Sequence, residues 1–316
     1  MKKLSVIILI FTASIQLNFA ADVLKGKIQF ASIEKATALL NTEDAYTNGW
    51  SQFDIDSRVQ KSNSTKQDQF KNINEQIRAW TEEEKEKINA RLVAIDKAIT
   101  KKGYHLNLPN EIYLIKSTMK DEGGADGYTR ANCIVLKDDV LSLTKEQLQD
   151  IIIHEVFHVL TRHDSIIRKD IYGIIGFHII NEVAYPENIK DYKISNPDAA
   201  KKDSYITIKK DEKDVDCMMI LYSEKSYTSG SFFDYLSIGL LKLKGTSTKE
   251  VDYTDGKPTI YTFKDITGFF EQIGKNTPYI IDPEEVLAEN FVFAINNKKG
   301  LPDQTIVNKI QALLKQ

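Results

Sequence analysis

His154, Glu155 and His158 stand in "IIIHEVFHVLTRHD" (151–164), a run that holds three of the chain's five histidines and is otherwise uncharged through Leu160. Each buried polar group costs free energy unless it is partnered, so a core helix gains nothing from two imidazoles and a carboxylate that have no task. Four residues apart on a helix, His154 and His158 share a face and can present both rings to one metal ion. Glu155, one step round, is placed to take a proton from water beside that ion.

A catalytic zinc site takes three protein donors and keeps one position open. Three places in the sequence offer the third donor. His163 lies nine residues past His154, half a helical turn away, and so faces the opposite side. Asp164 would serve if the chain turned sharply three residues after His158, a turn that favours glycine, and this chain has Thr161 there. In "EEVLAEN" (284–290), Glu285 and Glu289 are four apart on one face, with Ala288 beside them to allow close helix approach. Glu284 replaces Glu285 if the register moves by one, and acidic residues here also suit the positive end of a helix.

The elements that must hold these groups are legible from period and caps. "TEEEKEKINARLVAIDKAITKKG" (81–103) predicts a helix: Thr81 and Glu84 have capping-box spacing, Ile88, Leu92, Ile95 and Ile99 form a stripe, and Gly103 stands at the exit. "KSNSTKQDQFKN" (61–72) reads as a solvated linker. "EIYLIKS" (111–117) and "ANCIVL" (131–136) read as strands. Thr144 and Gln147 cap a helix running to about Arg162, and a second helical segment follows near Ile166 to Ile180. Residues 186–264 carry short strand-like runs such as "SYITIKK", "CMMILYSE" and "YLSIGLLKLK", where Met218 and Met219 read as core. "DPEEVLAENFVFAINNKKG" (282–300) predicts a helix, with Asp282 as N-cap, Pro283 at its first position and Gly300 past its end. A last amphipathic helix closes the chain.

The chain has 316 residues, 42% hydrophobic and 28% charged, with a formal net charge of −3. It is long enough for one large domain or two ordinary ones, and it carries no basic field that would favour nucleic acid or an anionic membrane surface. "MKKLSVIILIFTASIQLNFAADVLKG" has a basic start, an apolar stretch from Leu4 to Phe11 and a small-residue exit at Ala20–Ala21. Residues 1–20 are therefore expected to be a cleaved signal peptide, which implies a secreted or periplasmic protein without an integral membrane segment after cleavage. Cys133 and Cys217 are equally compatible with one disulfide and with two buried thiols.

Through "HEVFH" (154–158) and "EEVLAEN" (284–290), in the order strand, active-site helix, glutamate helix, the chain resembles the gluzincin-type HExxH zinc metallopeptidases. "GYTRANCIVL" and "HEVFHVLTRHD…IYGIIGF" also resemble an uncharacterised group of bacterial metallopeptidases. The resemblance implies an α+β zincin-like fold with a mixed sheet, an active-site helix, a glutamate helix and a β-rich insertion at about 186–264. That catalytic domain would span 104–316, after a mostly helical region at 21–103. It implies an exported hydrolase acting on peptides or proteins, with Zn2+ bound by His154, His158 and Glu285, Glu155 as general base and Glu289 orienting a histidine. Two departures stand out: Glu289 occupies a position where Asp is commoner, and the insertion is long. The strand at Asn132–Leu136 is expected to offer its edge to an extended peptide, and Tyr172, Tyr128, Arg130 and His178 are candidates for oxyanion stabilisation. A zinc-braced binding protein without catalysis, and a zinc hydrolase of a non-peptide amide, are the alternatives.

Overall fold

Ile112–Ser117 and Cys133–Lys137 are runs rich in β-branched residues, and burial of their side chains on both faces makes them the parallel centre of a mixed sheet. The structure, a computed structural model, describes residues 23–316; the signal peptide expected at residues 1–20 lies outside the described residues. Strand order in the sheet is Ile28–Phe30, Ile112–Ser117, Cys133–Lys137, Gly127–Arg130, the first three parallel and the last antiparallel. Ile77–Arg78 adds a short antiparallel pair beside the end of Ile112–Ser117. The strand at Cys133–Lys137 is thus paired on both sides. The expectation that it offers a free edge is corrected: Gly127–Arg130, folded back on it as a hairpin, is the edge.

Over this sheet lie the helices Lys145–His163, Glu82–Lys102 and Pro283–Ile295, whose apolar faces share one core with Leu114, Ile134 and Leu136. Helix Glu82–Lys102 has the expected capping box at Thr81 and Glu84, a left-handed Gly103 cap and a buried isoleucine–leucine stripe. Residues 23–103 share that core, since strand Ile28–Phe30 and helix Glu82–Lys102 both contribute to it.

Two local expectations are revised. Residues 61–72 are no linker, because Thr65 and Asp68 form a capping box that starts the helix Lys66–Gln76. Its buried face is Gln69, Ile73 and Gln76, so amides hide the apolar stripe. The helix expected near Ile166 to Ile180 is Ser165–Ile174; Gly176, at φ +80°, then turns the chain into strand Phe177–Ile179. That strand begins a second, antiparallel sheet of six strands, continued by Ser204–Lys210, Lys213–Tyr222 and Ser237–Lys244, with Glu250–Val251 and Ile260–Tyr261 both on the last. Met218 and Met219 are buried within it, and the β-rich region starts at Phe177. Cys133 and Cys217 are buried free thiols in different sheets, pushed up by burial to about 11 and about 12. The fold is α+β. Among the described residues, no helix is long and apolar enough to cross a membrane.

Phe157 joins the two helices that matter most. It is fully buried, and its ring centroid lies 5.3 Å from that of Phe291 on helix Pro283–Ile295. Phe157→Ala is expected to cost about 3–5 kcal/mol in urea denaturation, the usual range for an emptied aromatic site. A loss below about 1 kcal/mol would mean that this contact does not hold the helices together.

Candidate metal centre

Thr144 caps helix Lys145–His163 in a reciprocal pair with Gln147, and the helix runs unbroken through His154, Glu155 and His158. The two imidazoles stand on one face with ring centroids 4.8 Å apart. Facing them is Pro283–Ile295, started by Asp282 as N-cap and a proline in the first turn. Ala288, fully buried between neighbours, lets this helix come close, and Glu284 and Glu285 are buried with it.

The two helices meet through four His–Glu contacts. His154 Nε2 lies 3.0 Å and His158 Nε2 3.7 Å from Glu285 Oε2. Each ring's other nitrogen has its own carboxylate: His154 Nδ1 is 3.1 Å from Glu289 Oε1, and His158 Nδ1 is 3.2 Å from Glu284 Oε1. Glu284 also accepts from the Tyr172 hydroxyl at 2.5 Å and from Thr161 Oγ1. A carboxylate that accepts a hydrogen bond from Nδ1–H fixes the tautomer whose Nε2 keeps its lone pair, and both Nε2 atoms turn toward one oxygen of Glu285.

This donor set suits a divalent cation. One ligand atom each from His154, His158 and Glu285 lies within 4.8 Å of the others. His158 Nε2 is buried and has no hydrogen-bond partner among the described residues, although buried ring nitrogens are ordinarily satisfied. Burial works against charge on His154, but hydrogen bonds to Glu285 and Glu289 outweigh it and hold that imidazole's pKa well above the usual value. Burial pushes His158 down to about 3, so it stays neutral. Burial would raise Glu285, but the neighbouring His158 and His154 lower it below the ordinary carboxyl range. The two imidazoles and the Glu285 carboxylate thus converge on one small volume, as donors to a single cation would.

Glu155, one step round the helix, lies beside His158 and reaches the edge strand. Thr129 Oγ1 donates to its Oε2 at 2.7 Å, and a Cβ on Gly127 would sit 2.7 Å from its Oε1, so a larger residue there would push the Glu155 carboxylate out of this position. Burial raises the Glu155 carboxyl to about 7 against the lowering effect of His154. Two residues from the long loop after strand Phe177–Ile179 complete the site. Asn196 Nδ2 donates to Glu285 Oε1 at 2.7 Å. Asp198 Oδ1 accepts from Thr129 N at 2.6 Å and lies 4.0 Å from His158 Nε2. Burial, then Glu155 and Glu285, push the Asp198 carboxyl well above its usual range.

The remaining candidates go elsewhere. Asp164 caps the next helix, accepting from Ile166 N and Ile167 N at 3.0 Å each, and His163 is exposed. Glu284 supports His158 Nδ1 instead of replacing Glu285. Tyr172 is committed to Glu284, Arg130 to Asp44 and two main-chain carbonyls, and His178 packs beside Tyr205 in the second sheet. Tyr128 is buried in the cluster under the first sheet. Tyr279 stands near the two imidazoles, its ring centroid 6.4 Å from that of His154. No protein-family model, curated protein or solved structure matches the chain.

The third donor can be tested by rank. Loss of an outer carboxylate partner typically costs about 10–100-fold in metal affinity, and loss of a donor costs more. Calorimetric titration with Zn2+ is therefore expected to give Glu285→Ala the largest loss, above about 100-fold, Glu289→Ala an intermediate one, and Asp164→Ala almost none. The reverse order for Glu285 and Asp164 would contradict the assignment.

Proposed function

We propose that the protein is an exported zinc-dependent metallopeptidase of the gluzincin type, with a zincin-like catalytic fold. One observation carries the reading: His154 and His158 turn their Nε2 atoms to Glu285 while Glu289 and Glu284 hold their Nδ1 atoms, and Glu155 faces a strand edge beside them. The mixed sheet with an antiparallel edge, the helix under it and the acidic helix behind support the same reading. The leader-like residues 1–20 support export. Two nitrogens and one carboxylate are also the donor set of many catalytic zinc sites.

Zinc bound by His154, His158 and Glu285 would supply Lewis acidity and bring water toward ionisation near neutral pH. Glu155 is the base. Its buried carboxylate stands beside the donor atoms, where it can accept a proton from attacking water and return it to a leaving amine. Thr129 fixes its orientation through Oε2, and Gly127 leaves space for it. The strand Gly127–Arg130 binds an extended peptide through outward main-chain groups, which demands little of the peptide's sequence. A metal that merely braced two helices would have no use for a carboxyl tuned and oriented beside it.

Glu155→Gln removes the base and none of the donors. It is expected to bind Zn2+ as the parent does and to lose about 10²–10⁴-fold in the rate of peptide-library hydrolysis. Turnover at the parent rate would overturn the proposed role of Glu155. Cleavage confined to non-peptide amides, with peptides untouched, would move the proposal to another hydrolase class.

A further inference from the structure

The residues that an extended peptide would pair with are already paired. In the hairpin register, Tyr128 faces Val135 and Arg130 faces Cys133, and Asp126 accepts from Lys137 N, so the main-chain groups of Thr129 point out from the edge. Thr129 N donates to Asp198 Oδ1 at 2.6 Å, and Thr129 O accepts from Arg162 Nη2 at 3.3 Å. The same guanidinium nitrogen reaches the carbonyls of Pro197 and Asp198 at 3.3 and 3.2 Å, which ties the loop to the strand edge. Asp198 therefore does at the edge what a peptide would do.

It also stands beside the chemistry. Its carboxylate, with Glu155 and His158, forms a second group of ligand atoms within 4.8 Å of one another, and its Oδ1 lies 4.0 Å from the unpartnered His158 Nε2. The stretch that carries it is held at both ends. At one end, Ser51 Oγ donates to Lys193 O at 2.6 Å, Asp54 accepts from Ser195 N and Oγ, and Arg58 Nη2 donates to Ser195 O at 2.7 Å. At the other, Lys202 pairs with Asp282 at 2.7 Å and Arg168 with Asp203 at 2.6 Å. Between these anchors run Asn196, Pro197, Asp198, Ala199, Ala200 and Lys201.

We infer that Asn196–Lys201 is an occluding strap: Asp198 fills the strand edge and the open side of the metal centre, so the folded chain blocks its own cleft until the strap lifts. The inference rests on the metallopeptidase reading above. Arg162 and Thr129 hold the strap closed, while helix Gln52–Val59 and the Lys202–Asp282 pair keep it near the site when it is open. Each turnover then waits for an open molecule, and the parent's rate is set by the open fraction. Asn196 has a separate duty, since it orients Glu285 from the strap's first residue.

The full mature chain loaded with Co2+ gives a test that does not depend on turnover. Acetohydroxamate, a small bidentate chelator, reports access to the open side through the visible Co2+ spectrum. Asp198→Ala and Asp198→Asn should both keep Co2+ through His154, His158 and Glu285. Asp198→Ala should bind acetohydroxamate about tenfold more tightly than the parent or better, the factor expected if the strap is closed in nine molecules of ten. Peptide hydrolysis should rise by a similar factor. Asp198→Asn keeps an acceptor for Thr129 N and should bind acetohydroxamate as the parent does. Arg162→Gln, which removes the guanidinium joining the carbonyls of Thr129, Pro197 and Asp198, decides the matter if the alanine variant does not fold, with a gain in the same direction as that expected for alanine. Equal acetohydroxamate affinity in the parent and in whichever of Asp198→Ala and Arg162→Gln folds, with Co2+ bound, would overturn the strap and leave the metal centre standing. A parent that takes up no Co2+ would overturn both.

Discussion

Glu284 and Glu285 enter the protein interior on the first turn of a helix, and the two imidazoles across from them make that burial tolerable. An ionised carboxylate without a partner in such a place costs several kcal/mol, and removing one member of a buried pair typically costs about 3–5 kcal/mol. The helix's own N-terminal dipole contributes, and Asp282 caps it. Neither places a side chain against the carboxylates. His154 and His158 do, each through two contacts, so the acidic helix approaches Lys145–His163 in the register that matches four carboxylate–imidazole contacts.

Much of the surrounding structure follows from that register. Ala288 has to be small, and Phe157 and Phe291 pack just beyond the polar cluster. Thr161, in a place where a tight turn after His158 would want glycine, is instead the hydroxyl that supports Glu284. The helix therefore continues to His163, and Asp164 is left to cap the helix that follows. Beneath the loop, Arg58 pairs with Asp54 at 2.7 Å and Glu122 at 2.9 Å in a fully buried network, so the amino-terminal helices reach the His–Glu cluster through Ser195, the neighbour of Asn196.

The candidate site residues that the structure brings together are those encoded locally. His154, Glu155 and His158 are adjacent on one helix, and Glu285 and Glu289 are four apart on another, so helical period alone brings each set to a face. That the two faces meet came from a resemblance, and the contacts between the two helices agree with it. The edge strand was misassigned because only "ANCIVL" was read as a strand, and the short run that folds back on it was not. "ANCIVL" and "GYTR" both satisfy strand composition, and only the hairpin decides which lies outside. Asn196 and Asp198 were missed because "NPDAA" reads as turn chemistry, and no periodicity ties it to a helix some 40 residues earlier. The helix Lys66–Gln76 was hidden by its buried glutamines.

Metal binding by the intact mature chain is the claim on which the rest depends, and native mass spectrometry after exposure to Zn2+ measures it most directly. The account expects a single ion per chain, retained through desalting, with the parent's stoichiometry abolished when His154 and His158 are both replaced by alanine and the fold is retained. A parent spectrum free of bound metal, or a full complement in the double variant, would contradict it.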